Sequence, residues 1–202
     1  EMVRDNALAI SGLLVEKIGG ISARPYQPPK YYAQLNFPRR TYKADPDQNQ
    51  YRRGVYSHWQ RTFLHPMLKA FDAPSREECT AARSRSNTPL QALTLMNDPS
   101  FVETARVFAA RILREAPRED GARVTWAYRS ALSRNPDPVV ASELRSLYDQ
   151  HLAHYRSDTE AAKALVSAGL APVPGDLNPS ELAAWTSVAR VLLNLHESIT
   201  RY

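Results

Sequence analysis

Residues 88–115 read TPLQALTLMNDPSFVETARVFAARILRE, and the way this stretch starts a helix twice decides the fold. Thr88 precedes Pro89 and Asp98 precedes Pro99. In each pair an oxygen-bearing side chain can cap orphan amides, and the proline contributes a helical φ where no N–H is required. Gln91, three residues after Thr88, can reach back to the cap's own amide and complete a capping box. Behind the second start, Phe101, Ala105, Phe108 and Ile112 return at helical spacing. The stretch predicts two helices, over 89–96 and 99–114.

The same device recurs at Asp137-Pro138 and Asn178-Pro179, with Glu181 in the capping-box position of the latter. Apolar spacing agrees with helices over 122–134, 138–156, 159–168 and 179–199; the last carries Leu182, Trp185, Val188, Ala189, Leu192 and Leu195. Residues 169–177 (GLAPVPGDL) form a short Pro/Gly connector. At the other end Val3, Ala7, Ile10, Leu14 and Ile18 predict a helix over 1–18 that stops at Gly19-Gly20 and packs its stripe on the final helix. From Ile21 to Gln50 five prolines interrupt any period, and YRRGVYSHWQRTF (51–63) alternates as a short strand would. The fold class is mainly α: an irregular antiparallel helical array with a long irregular Pro/aromatic-rich segment and one short strand. A helix over 1–20, an irregular basic/aromatic segment over 21–87 and a helical array over 88–202 are read as parts of one domain.

A chain of 202 residues, 43% hydrophobic, can bury a real core. Its net charge of +5 is concentrated: between Arg39 and Arg85 ten basic residues face five acidic ones, and the rest is balanced. The single cysteine, Cys79, excludes an internal disulfide and a Cys-x-x-Cys-His haem attachment within these residues. No run approaches the roughly 20 apolar residues of a membrane span. The chain enters a helical pattern directly at Glu1 and reads as cut from something longer.

The segment FDAPSREECTAARSRSNTPLQALTLMNDPSFVETA (71–105) resembles the C-terminal planctomycete-specific domain of unknown function, the PSD type. The segments YRRGVYSHWQRT (51–62) and LNPSELAAWTSVARVLLNLHESITRY (177–202) extend the resemblance over essentially the whole chain. That domain is found in large exported proteins, often beside a planctomycete cytochrome c module. The resemblance implies a periplasmic or cell-surface location and a chain that is the C-terminal part of its domain, with the upstream part missing. It also implies upstream domains of the same protein as partners, and haem, if any, in those domains, with no cofactor in this chain. No activity comes with it.

Arg52, Arg53, Trp59, Arg76, Arg83 and Arg85 are the candidate ligand-binding residues, since guanidinium forks bind sulfate, carboxylate or phosphate bidentately and a flat ring can stack on a sugar. Arg61 belongs to the same run. The competing reading pairs these arginines with Asp72, Glu77, Glu78 and Asp98 as a clasp that pins the irregular half onto the helices. It also has the nine aromatic residues from Tyr26 to Phe63, Phe37 among them, docking the segment rather than facing solvent. His151 and His154 share a helix face without a third ligand at suitable spacing, and Cys79 has no oriented base, so neither a metal nor a catalytic residue is assigned. The expected function is a non-catalytic interaction or structural module of an exported multidomain protein. The alternative is part of an enzyme or binding protein acting on sulfated or acidic polysaccharide, its site shared with missing upstream domains. No nucleic-acid partner is expected, because basicity stands without any nucleic-acid-binding motif.

Overall fold

A computed structural model describes residues 1–34, 41–60 and 63–200. Each of the four cap-plus-proline pairs starts a helix at its proline: α3 (Pro89–Asn97), α4 (Pro99–Glu115), α6 (Pro138–Ser157) and α8 (Pro179–Asn194). The Thr88 hydroxyl accepts from the Gln91 amide at 3.4 Å while Gln91 Oε1 accepts from the Thr88 amide at 3.2 Å, the expected box. Asp98 Oδ1 takes the Ser100 amide at 2.9 Å, and Asn178 Oδ1 takes those of Ser180 and Glu181. The remaining helices are α1 (Met2–Ser11), α2 (Pro66–Ala70), α5 (Asp120–Leu132), α7 (Thr159–Val166) and α9 (His196–Ile199). Among the described residues the structure is mainly α and contains no sheet.

The core is built around α8. Its segment Leu182–Ala189 is buried on every face, and Ala183, Ala184, Ser187 and Ala189 are small enough to admit neighbours closely. Phe101, Phe108 and Ile112 of α4 and Leu144 and Tyr148 of α6 join it in one core cluster with Trp185, Val188 and Leu192. The Tyr148 and Trp185 rings lie 4.8 Å apart. Inside so apolar a layer the hydroxyls of Thr186 and Ser187 donate to carbonyls one turn back, Leu182 and Ala183.

Three expectations are corrected. The first helix stops at Gly12, whose left-handed φ of 82° lets its amide close onto Leu8 and Ala9, rather than at Gly19-Gly20. Leu14 and Ile18 thus fall beyond it, and Ile18 is exposed. α1 lies chiefly against α4, and it meets the chain's end at α9, where Asn6 Nδ2 donates to the Ser198 carbonyl. The described part of the 51–63 run is not a strand but two tight 3₁₀ turns, Gln48–Tyr51 and Gly54–Tyr56, touched by isolated parallel bridges Val15–Arg52 and Ala23–Ser57. Alternation fails there because the buried positions Arg52 and Gly54 are two apart but the next, Ser57, is three further on. Arg61, Thr62 and Phe37 lie outside the described residues.

Candidate functional site

The irregular half lacks a ladder to satisfy its carbonyls, so side chains do it. Arg4, buried on α1, donates to the carbonyls of Arg52 (2.6 Å) and Gln50. Arg52 in turn sends its fork to the carbonyls of Lys17, Gly19 and Ile21, with the guanidinium 4.1 Å over the Tyr56 ring. Gln50 Nε2 bridges the carbonyls of Arg24 and Asp45. Arg52 is only 1% exposed, and this candidate holds the interior together. Burial depresses the Arg4 guanidinium below its ordinary pKa, against the pull of Asp5 and Asp98, and pushes both of those carboxyls up.

A second buried device was not anticipated. Glu103 and Arg106, one turn apart on α4, are each about 1% exposed and face each other at 4.0 Å. The Glu103 carboxylate accepts from the hydroxyls of Tyr51 (2.7 Å) and Tyr26 (3.0 Å) and from the Ala171 amide (2.6 Å). Arg106 donates to the carbonyls of Ala171 and Pro172. The irregular segment, α4 and the 169–177 connector thus close on one carboxylate. Gly169 allows the approach: its φ is 90°, and a Cβ there would sit 2.1 Å from the Glu103 carboxyl carbon. Burial and the adjacent carboxylate raise the phenol pKa values of Tyr26 and Tyr51, which keeps both as donors.

The open site lies elsewhere. Residues 72–86 form a surface loop whose ends are tied together, because Asp72 Oδ2 accepts from the Ser86 amide (2.8 Å), the Ser86 hydroxyl (2.7 Å) and Gln91 Nε2 (3.4 Å). Between this loop, the start of α1 and the end of the chain is a cleft of about 430 Å³. Met2, Val3, Phe71 and Ile199 give it apolar walls, and Arg83 and Arg85 give it charge. Arg83 Nη1 donates to Glu1 Oε2 at 2.9 Å with its side chain 51% exposed. Arg85 is exposed and has no hydrogen-bond or ion-pair partner among the described residues.

The six sequence candidates therefore divide. Arg83 and Arg85 line the cleft. Arg76 sits on the same loop at φ 61° with its guanidinium 3.8 Å over the Trp59 ring, a cation–π contact anchoring the loop to the body. Arg53 is solvent-facing, with Nε 4.0 Å from Asp5 Oδ2. Arg52 is interior. The described aromatic residues of the irregular segment are buried or half-buried, and Tyr31, Tyr32, Tyr42 and Phe63 pack in tilted and edge-to-face contacts among themselves. Among the described residues no three His, Cys, Asp or Glu side chains group as a metal site, and no helix is long and apolar enough to cross a membrane.

The model of one family, PSD1, protein of unknown function (DUF1553), matches residues 1–148. The chain belongs to the PSD1 family. The match takes in the whole loop, Glu103, and every cleft residue except Ile199 and Thr200. It ends inside α6, so the PSD1-matched helices bury their apolar faces against an α8 that lies beyond it. No curated protein and no solved structure matches the chain.

Proposed function

We propose that this chain is a non-catalytic interaction module of an exported multidomain protein, and that the cleft carrying Arg83 and Arg85 is its recognition surface, turned toward domains upstream in the same protein. One observation carries the reading: the cleft presents guanidinium groups, whose planar forks bind anions bidentately, while its carboxylates are already engaged. Asp72 is held by Ser86 and Gln91, and Glu1 by Arg83. Such a set is suited to holding a partner rather than to moving protons.

The test is to titrate the chain with the separately expressed upstream portion of its parent protein by calorimetry. Arg83→Gln/Arg85→Gln should abolish the complex and leave folding stability within about 1 kcal/mol, since both side chains are exposed. Absence of binding, or binding indifferent to the double substitution, defeats the proposal. Binding of a sulfated oligosaccharide at these arginines, with no affinity for the upstream portion, would put the acidic-polysaccharide reading in its place.

A further inference from the structure

We infer that the cleft takes an extended peptide segment in which an acidic residue stands beside an apolar one, and that Glu1 occupies the carboxylate position as an internal place-holder until such a segment displaces it. The inference rests on the interaction-module reading and specifies its ligand. Three observations support it. First, Arg83 already binds a carboxylate there, Glu1 Oε2 at 2.9 Å, so the geometry for accepting one is formed. The next residue but one along the loop, Arg85, offers a second guanidinium with no partner among the described residues.

Second, the surroundings of those charges are apolar. Met2, Val3, Phe71 and Ile199 line the cleft, and Met2 is 68% exposed. A bare anion or a sulfated sugar would engage the forks and leave these side chains in water. A segment bearing Leu-, Met- or Phe-like residues next to its carboxylate covers both.

Third, polar backbone recognition is on hand. Asn87 is exposed on the cleft wall and offers its side-chain amide, while the Gln91 amide beside it is already committed to Ser86 Oγ, Asp72 Oδ2 and the Thr88 N–H. Glu1-Met2 is itself an acidic–apolar pair at the mouth, a template for the incoming segment.

The experiment uses the 202-residue chain with a short uncharged leader ahead of Glu1. A displayed library of short random peptides is selected on it, and the enriched peptides are measured by fluorescence anisotropy against a heparin-derived oligosaccharide. The selected peptides should pair Asp or Glu with a large apolar residue, and their affinity should fall with added salt. Arg83→Gln and Arg85→Gln should each weaken binding by about fivefold or more. Glu1→Gln should tighten it by about two- to fivefold, because the competing ion pair is an exposed one. That opposite sign separates a place-holder from a merely structural contact. Peptides selected without acidic residues, or a Glu1→Gln variant that binds no better, overturn the inference. If only the oligosaccharide binds, and does so through Arg83 and Arg85, the peptide ligand is refuted while the cleft remains a recognition site. If no probe depends on Arg83 or Arg85, the inference and the reading beneath it both fail.

Discussion

Replacing Glu103 with alanine strips the acceptor from two phenols and one backbone amide, at 3.0, 2.7 and 2.6 Å, and leaves Arg106 without its counter-charge at 4.0 Å. A buried donor left unpaired costs about 1–3 kcal/mol, and breaking a buried charge pair about 3–5 kcal/mol. These terms overlap because one carboxylate serves all the partners, so the expected loss is about 3–5 kcal/mol for Glu103→Ala rather than their total. Both charged side chains are about 1% exposed, which removes solvent screening as a mitigating factor. Glu103→Gln keeps the volume but turns an amide N–H₂ toward donors, and should cost about 2 kcal/mol. Urea unfolding followed by far-UV circular dichroism measures both. Gly169→Ala provides the cross-check: its methyl would collide with the Glu103 carboxyl at 2.1 Å, so combining it with Glu103→Ala should cost less than the separate losses together by about 1 kcal/mol or more. A Glu103→Ala protein within about 1 kcal/mol of the parent would refute the idea that this carboxylate joins the two halves.

Two further outcomes follow from the irregular half. His65 is buried, with Nε2 2.9 Å from the Tyr26 carbonyl and Nδ1 accepting from the Met67 amide, and burial lowers its pKa from 6.5 to about 4. The folded state thus favours the neutral ring: the stabilisation is complete above about pH 6.5 and is lost as pH falls toward 4, by about 3 kcal/mol. Asp5 and Asp98, whose carboxyls burial pushes up, act in the opposite sense, so the stability difference between parent and His65→Asn across pH isolates the ring; a flat difference rejects the assignment. At Arg76, alanine should cost about 0.5–1 kcal/mol through the lost contact with Trp59, with a shift in tryptophan emission. Arg76→Gly should be the milder change because only glycine is unstrained at φ 61°, and the reverse order would contradict this.

The helix starts were legible because a cap and a proline act within one turn, independent of what packs later. The start at Pro66 uses the same device and was missed, since the cap is His65, whose Nδ1 does the work of an Asp or Ser oxygen. The end of α1 was misplaced because the apolar spacing of Leu14 and Ile18 continues past a glycine whose left-handed conformation only the structure reveals. Of the candidate site, Arg83 and Arg85 were found by composition alone, as charges in a segment without periodicity. Arg52 drew attention for the same reason, yet its donors serve local carbonyls, a distinction that depends on which way the fork points. Glu103 and Arg106 drew no attention in the sequence, because their i,i+3 spacing is ordinary on a helix; what buries them are Tyr26, Tyr51 and the 169–177 connector, residues far away in sequence.

The partnership of α4 with α8 also sets the order of events during synthesis. The core surface of α4 is complete once residue 115 has been made, but the helix that covers it begins at Pro179 and ends at Asn194. At a translation rate of about 5–20 residues per second, the apolar face of α4 waits several seconds outside the ribosome before its cover emerges. Glu103 waits similarly for Ala171. A nascent chain halted near residue 148, where the family match stops, would present Phe101, Phe108 and Ile112 uncovered, making it a natural client for a holding chaperone.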